Sequence, residues 1–98
     1  MTRAVIADGG FGESFRHRTG HCIGLDVHEH PFISEEDDTE LEEGMTFTVE
    51  PMINMGGAAS RVLSDRWTVV TRDLSLSAQF EHTMAVTTDG VEILTVAD

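Results

Sequence analysis

Cysteine and long apolar runs are scarce in this sequence of 98 residues. A single cysteine excludes an internal disulfide and is typical of proteins that work in a reducing cytoplasm. No apolar run approaches the roughly eighteen residues that a membrane-spanning helix needs, and the first residues lack the apolar segment of a signal peptide. We therefore predict a cytoplasmic protein with no membrane partner.

Positive charge is the next scarce feature. Six lysine and arginine residues stand against eighteen aspartate and glutamate residues, which gives a formal net charge of −12. Because nucleic acids are bound through contacts from lysine and arginine to phosphate, this balance argues against a nucleic-acid partner. The negative charge would attract metal cations, although solubility or adaptation to a salty cytoplasm is the simpler explanation.

A histidine-rich stretch, residues 18–31 (RTGHCIGLDVHEHP), is the first feature that suggests chemistry. It contains His21, His28 and His30, with Gly20 and Gly24 on either side of the first. Imidazole is the commonest metal ligand among side chains, and glycine lets neighbouring backbone approach closely. The stretch alone predicts, with equal weight, a metal and proton-transfer site or a polar loop rich in histidine.

Hydrophobic periodicity predicts a chain built mainly from short strands. Residues 1–10 end in two glycines and are typical of the last turns of a helix closed by a glycine cap. Pro31 should end the first full strand, residues 34–44 should form a solvated acidic loop, and residues 52–63 should form a glycine-containing turn. Residues 88–90 should turn a hairpin. Strands are predicted at residues 23–27, 45–51, 67–71, 78–87 and 91–96, with a strand edge at residues 15–17.

Two glutamates on predicted strands offer partners for the histidines. Glu50 ends the strand at residues 45–51, where Thr46 and Thr48 share its polar face, and Glu81 lies in the middle of the strand at residues 78–87. A carboxylate in an apolar strand is costly to bury unless it is paired or bound to a metal, so a salt bridge explains each one equally well. Together with a histidine they form a nitrogen and oxygen ligand set that suits Mn, Co, Fe or Zn. The set is too small for two divalent ions.

Four motifs, taken in order, carry a family resemblance. They are residues 20–24 (GHCIG), 28–31 (HEHP), 44–51 (GMTFTVEP) and 77–83 (SAQFEHT). They resemble the C-terminal half of the pita-bread metalloaminopeptidases, which include methionine aminopeptidase, Xaa-Pro aminopeptidase and prolidase. The resemblance covers nearly the whole chain. It implies an α+β fold, the C-terminal half of a pita-bread fold, with mainly antiparallel strands and a short N-terminal helix end, and it makes residues 1–98 a partial metallopeptidase catalytic domain.

The resemblance also implies separate roles for the matched residues. His21, Glu50 and Glu81 match ligands of a site for two divalent metal ions (Mn, Co, Fe or Zn), and Glu81 matches the ligand that bridges them. His28 matches a catalytic, substrate-binding histidine that steadies the scissile carbonyl. Glu50 is further implied as the proton acceptor for the attacking water. His30 is expected at the surface.

The sequence departs from the family pattern in its metal ligands, and its segments resemble different branches of the family. The family's two ligand aspartates and a further catalytic histidine lie in its N-terminal half, and residues 1–98 contain no segment that matches that half. Cys22 replaces a usual glycine, and a small buried hydrophobe is favoured there over a soft metal donor. Residues 11–33 are more similar to the Xaa-Pro and prolidase branch, and residues 50–95 to methionine aminopeptidase.

Two residues bear on which substrate the implied site would accept. Trp67 matches a residue of the methionine side-chain pocket, with ordinary core packing as the alternative. Val27 replaces an aromatic residue of the same pocket. The resemblance thus implies a metal-dependent aminopeptidase that removes the N-terminal residue, methionine by preference, from peptides or nascent proteins.

Two alternatives stay open: a peptidase of the Xaa-Pro aminopeptidase or prolidase type, and a non-catalytic peptide-binding pita-bread fragment. A missing N-terminal half is a candidate partner. We expect the 98-residue chain by itself to bind a divalent ion weakly, to cleave little or no peptide and to expose apolar surface.

Overall fold

The structure, a computed structural model, describes residues 2–12 and 19–97. The strand edge predicted at residues 15–17 lies outside this range. Among the described residues, no helix has the length and apolar character that a membrane crossing requires. The elements are α1 (Thr2–Asp8), β1 (Gly20–Cys22), β2 (Glu29–Ile33), β3 (Thr46–Val49), β4 (Met52–Asn54), β5 (Ser60–Val62), β6 (Val69–Thr71), β7 (Ser77–Gln79), β8 (His82–Thr87) and β9 (Gly90–Ile93).

The chain divides into two compact units. The sheet unit is Arg18–Pro51 with Phe80–Asp98, and its strands form one antiparallel sheet in the order β2-β1-β3-β8-β9. The hairpin unit is Met1–His17 with Met52–Gln79, and it holds α1 and two two-stranded sheets, β4 with β7 and β5 with β6. Helix α1 ends as the glycine-cap pattern predicts, because Gly10 adopts a positive φ of 90° just after it.

Strand β3 is the centre of the sheet unit. Its residues are aromatic or β-branched, which favours extended backbone, and Pro51, which has no N–H to donate, follows soon after its end. Phe47 and Thr48 at its middle are both buried. The strand predicted at residues 45–51 is therefore confirmed in a slightly shorter form, and the hairpin predicted at residues 88–90 is confirmed between β8 and β9.

The strand predicted at residues 23–27 is wrong. This segment forms a loop between β1 and β2, in which the N–H of Gly24 donates to the carbonyl of Asp26 (3.1 Å) and the N–H of Asp26 donates to Oε1 of Glu29 (3.0 Å). From Gly24 onward, local hydrogen bonds thus replace the strand pairing that the alternation of apolar residues suggested, while Ile23 still donates to the carbonyl of Thr46 on β3 (3.0 Å). Pro31 does not end a strand but lies inside β2, an edge strand, where a missing N–H is tolerated.

The strand predicted at residues 78–87 is divided between the two units. Its first part belongs to β7, which pairs with β4, and its second part forms β8, which pairs with β3. Glu81 therefore lies between two strands and not in the middle of one. The turn predicted at residues 52–63 likewise contains β4 and β5, while the strand predicted at residues 67–71 shortens to β6.

The expected apolar surface is confirmed among the described residues. Their buried apolar side chains are few, whereas many large apolar side chains are exposed in both units. Those at least 67% exposed are Val5, Leu25, Val27, Met55, Trp67, Leu74, Leu76 and Phe80.

The carboxylate of Asp73 organises the connection between β6 and β7 in the hairpin unit. It accepts hydrogen bonds from the hydroxyl of Ser75 (2.6 Å), the N–H of Gly57 (2.8 Å) and the N–H of Ser75 (3.1 Å). These donors, the Ser75 hydroxyl foremost, stabilise the charged form and lower the pKa of Asp73 to about 2.

We expect Asp73→Asn to destabilise the chain at pH 7 and to have progressively less effect in acid. Because the pKa is lower in the folded chain than the ordinary value of about 3.9, the stabilisation is complete above about pH 4 and is lost as the pH falls through about 2. The measurement is the free energy of unfolding in urea at pH 7, 4, 3 and 2. Asp38→Asn, an exposed change of the same charge, is the control. A difference that is constant with pH would contradict the assignment.

Candidate metal centre

The pairing of β3 with β8 brings Glu50 and Glu81 together. Thr48 lies opposite Thr83 in this antiparallel pair. Extending the same register by two residues places Glu50 opposite Glu81, just past the end of one strand and just before the start of the other. Since side chains alternate between faces, Glu50 and Thr48 share one face of the sheet.

The pairing of β1 with β3 brings His21 to the same face. Cys22 lies opposite Phe47, so the neighbouring pair is His21 opposite Thr48. The register of β1 against β2 shifts between His21 and Cys22, and such irregularities often re-aim a side chain beside a functional site. The hydrogen bond from the N–H of Glu50 to the carbonyl of Thr19 (2.6 Å) ties the two strands together at this end.

One possible ligand atom from each of His21, Glu50 and Glu81 lies within 4.8 Å of the others. His21 is buried, Glu50 is half-buried and Glu81 is exposed, so the cluster runs from the interior of the unit to the solvent. Two ligands on opposite sides of one ion are about 4.2 Å apart, because metal–nitrogen and metal–oxygen distances are about 2.1 Å. The three side chains therefore fit a divalent ion with small adjustments.

The imidazole of His21 is oriented as a metal ligand should be. Its Nδ1 lies 2.9 Å from the carbonyl oxygen of Cys22, which can only accept, so Nδ1 carries the hydrogen. A backbone carbonyl on the second ring nitrogen is the usual arrangement for a metal-binding histidine. Its Nε2 faces Oε1 of Glu50 at 2.8 Å. With a neutral imidazole this contact brings two lone pairs together, and a bound cation relieves their repulsion.

His28 lies beside the cluster but does not belong to it. Its ring centroid is 4.5 Å from that of His21, with the ring planes at 66°. The side chain is exposed, and it extends from the loop that Gly24, Asp26 and Glu29 hold through hydrogen bonds. His28 is therefore open to the solvent next to a candidate ligand.

Cys22 is a small buried residue, as expected. The residue is 5% exposed, and the thiol is not part of the ligand cluster found among the described residues. Burial, followed by the negative charges of Glu29 and Asp37, raises the pKa of the Cys22 thiol. The thiol is therefore held in its neutral form, which is poorly suited to bind a metal.

The remaining candidates lie at the surface. Trp67 is 87% exposed in the hairpin unit, so the alternative that it packs in the core is wrong. His30 is exposed, as predicted, with its ring against Phe32. His82 is exposed and its Nδ1 lies 2.9 Å from the hydroxyl of Thr95.

Sequence reasoning missed Thr48. It placed this residue on the polar face of its strand without a role, yet Thr48 is completely buried and contacts both His21 and Glu50. The available signal was its position two residues before Glu50, on the same face. Its burial depends on strands far away in the sequence, which local periodicity does not reveal.

Comparison with known proteins gives consistent results. The model of metallopeptidase family M24 matches residues 1–88. The methionine aminopeptidase of Escherichia coli (strain K12) is 51% identical over 85 residues, which cover 83% of this chain and 32% of that protein. Methionine aminopeptidase 1D, mitochondrial, of Danio rerio is 52% identical over 79 residues, which cover 78% of this chain and 23% of that protein. The chain thus spans about a third or less of these relatives.

Solved structures show the same likeness. The methionine aminopeptidase from Rickettsia prowazekii has a TM-score of 0.80 and 45% identity, over 96% of this chain and 40% of that one. The prolidase from Pyrococcus furiosus has a TM-score of 0.76 and 32% identity, over 99% of this chain and 24% of that one. Both branches suggested by the sequence motifs are therefore represented among the structural neighbours.

Proposed function

Because the chain belongs to metallopeptidase family M24 and has the predicted α+β structure of the C-terminal half of a pita-bread fold, we propose that residues 1–98 are part of the catalytic domain of a cytoplasmic, metal-dependent aminopeptidase. Its reaction is the removal of an N-terminal residue, preferentially methionine, from peptides or nascent proteins. The observation that carries the proposal is the convergence of His21, Glu50 and Glu81 within 4.8 Å.

His21, Glu50 and Glu81 would hold the metal, and the donor set of one imidazole nitrogen and carboxylate oxygens suits Mn, Co, Fe or Zn. A bound ion supplies Lewis-acid chemistry that polarises a carbonyl and acidifies water. We propose that the complete site would hold two ions, and Glu81 would then serve as a ligand of both. Two ions need more ligands than these three side chains provide, so further protein ligands must complete the site.

Two residues of this chain would act on the substrate and the proton. Glu50 has two carboxylate oxygens, and one of them can accept the proton of the attacking water. His28 is exposed beside His21, so its imidazole can donate a hydrogen bond to the substrate's scissile carbonyl oxygen. Both roles require groups that substrate or water can reach, and the exposure of His28 and the partial exposure of Glu50 support them.

Methionine is the preferred N-terminal residue in this proposal because relatives near 50% identity are methionine aminopeptidases. Trp67 is the proposed side-chain pocket residue, and its indole is free of the core, as a substrate contact requires. The prolidase neighbours, together with Val27 in place of an aromatic residue, support Xaa-Pro peptides as the second candidate substrate class. A non-catalytic peptide-binding role is less consistent with the presence of three candidate ligands within 4.8 Å of one another.

A graft tests the proposal. The segment of the Escherichia coli methionine aminopeptidase that matches this chain is replaced by residues 1–98, and Mn²⁺- or Co²⁺-dependent hydrolysis of Met-Ala-Ser and Ala-Pro peptides is measured. We expect cleavage of Met-Ala-Ser that a chelator abolishes. Preference for Ala-Pro peptides would favour the prolidase branch. A folded graft that cleaves neither would favour the non-catalytic alternative, and robust cleavage by the ungrafted chain would show that it needs no complement.

A further inference from the structure

We propose that Thr48 is the positioning residue of the metal centre, because its buried hydroxyl joins the backbone of His21 to the carboxylate of Glu50. This inference rests on the proposed metal site and adds a residue that touches two of its ligands without being a ligand itself.

The burial of Thr48 is the first observation. Its relative exposure is 0%, although it carries a hydroxyl, and it lies next to the buried Phe47. A hydroxyl that is removed from water must be satisfied within the protein, or the fold loses the energy of its hydration. The hydrogen-bond partners of this hydroxyl are therefore held in position by it.

The contacts go to the ligand residues. Oγ1 of Thr48 accepts a hydrogen bond from the N–H of His21 (3.2 Å). Its one hydrogen can point to the carbonyl oxygen of His21 (3.4 Å) or to Oε1 of Glu50 (3.3 Å). A carboxylate is the stronger acceptor because it is charged, so the hydrogen is directed to Glu50. The hydroxyl then bridges the main chain of one ligand and the side chain of another.

The shared oxygen explains why this bridge affects metal binding. Oε1 of Glu50, which receives the hydroxyl of Thr48, is also the atom that lies 2.8 Å from Nε2 of His21. The hydroxyl therefore restricts the rotation of the Glu50 carboxylate and keeps Oε1 beside the imidazole before any ion arrives. An ion that binds to a site organised in this way loses less free energy in ordering its ligands.

The surrounding strand contacts do not depend on the hydroxyl. Main-chain bonds from Ile23 to Thr46 (3.0 Å) and from Glu50 to Thr19 (2.6 Å) hold β1 against β3 on both sides of Thr48. Valine has the shape of threonine without its hydroxyl and also favours strands. Thr48→Val should thus remove this one restraint on the Glu50 carboxylate while the two strands remain paired.

Titration of the 98-residue chain with Co²⁺ tests the inference, with affinity from calorimetry and ligand geometry from the visible absorption spectrum. Loss of an outer partner of a ligand typically weakens metal binding about 10- to 100-fold, and we expect Thr48→Val to fall in this range with a changed spectrum. Thr48→Ser keeps the hydroxyl, so its Co²⁺ affinity should lie within about threefold of that of the unsubstituted chain. Its absorption spectrum should match that of the unsubstituted chain. Thr46→Val is the matched control, since among the described residues the hydroxyl of Thr46 donates to the carbonyl of Ile23 and contacts none of the candidate ligands.

Three results would overturn the inference. The first is unchanged Co²⁺ affinity and spectrum in Thr48→Val. The second is an equal loss in Thr46→Val, which would indicate a general effect on the sheet. The third is the absence of Co²⁺ binding by the unsubstituted chain, which would overturn the proposed metal centre as well. The first two results, in contrast, would leave the metal centre in place and overturn only the role of Thr48. If Thr48→Val does not fold by circular dichroism, the pair Thr48→Ser and Thr48→Ala, which differs only in the hydroxyl, gives the same comparison.

Discussion

His21→Ala is expected to reduce the affinity of the chain for Co²⁺ or Mn²⁺ by more than about 100-fold, beyond the loss typical of an outer-shell partner. His21 is the sole nitrogen donor in the cluster found among the described residues, and it is buried at the inner end of the cluster. Removing the ring also removes the contact with Oε1 of Glu50 at 2.8 Å. In the graft, cleavage of Met-Ala-Ser should fall to the level of the chelator-treated protein.

The control for this prediction lies in the same stretch of sequence. His30 is exposed and outside the cluster, so His30→Ala should bind the ion as the unsubstituted chain does. Circular dichroism and urea unfolding distinguish lost ligation from lost folding. A His21→Ala chain that stays folded and binds Co²⁺ within about tenfold of the original would contradict the ligand assignment. Equal losses in both variants would point to a general property of the histidine-rich stretch.

The candidate ligands have only a partial local signal in the sequence. Glu50 ends an alternating strand and His21 lies beside a glycine, but these features left a salt bridge and a polar loop open as alternatives. The family resemblance was needed to single out His21 among the three histidines of its stretch. Glu81 was predicted to lie in the middle of a strand, whereas it lies between two strands. Its place opposite Glu50 follows from the register of β3 and β8, which no single segment encodes.

The errors have a common physical cause. Residues 23–27 alternate as a strand does, but a strand forms only where a partner strand is available, and here short-range hydrogen bonds to Asp26 and Glu29 close a loop instead. The single strand predicted at residues 78–87 is divided, because its two parts pair with two different strands. The burial of Thr48 was hidden in the same way, since a polar residue on an alternating strand is usually taken to face water.

Gly20→Ala is the second substitution for which we expect a large effect, because Gly20 allows β1 to approach β3. A Cβ atom on this residue would lie within 3.0 Å of the carbonyl oxygen of Thr48 and 2.7 Å from its carbonyl carbon. Both atoms belong to the backbone, so no side-chain rotation relieves the overlap. Overpacking of an interior typically costs about 1–3 kcal/mol, and a backbone overlap should cost about 3 kcal/mol or more. Urea unfolding measures this loss directly.

The same substitution should weaken metal binding, which connects the close packing of β1 and β3 to the site. His21 follows Gly20 directly, so a displacement of β1 from β3 moves the imidazole away from Glu50 and stretches the contact between His21 N–H and the Thr48 hydroxyl. Gly57→Ala is the control, since its Cβ would make only an ordinary contact of 3.6 Å with Asp73. If Gly20→Ala has the same stability and Co²⁺ affinity as Gly57→Ala, then β1 can shift without disturbing the ligands. A loss of both stability and Co²⁺ affinity in Gly20→Ala would show that the distance between β1 and β3 determines how close His21 comes to Glu50.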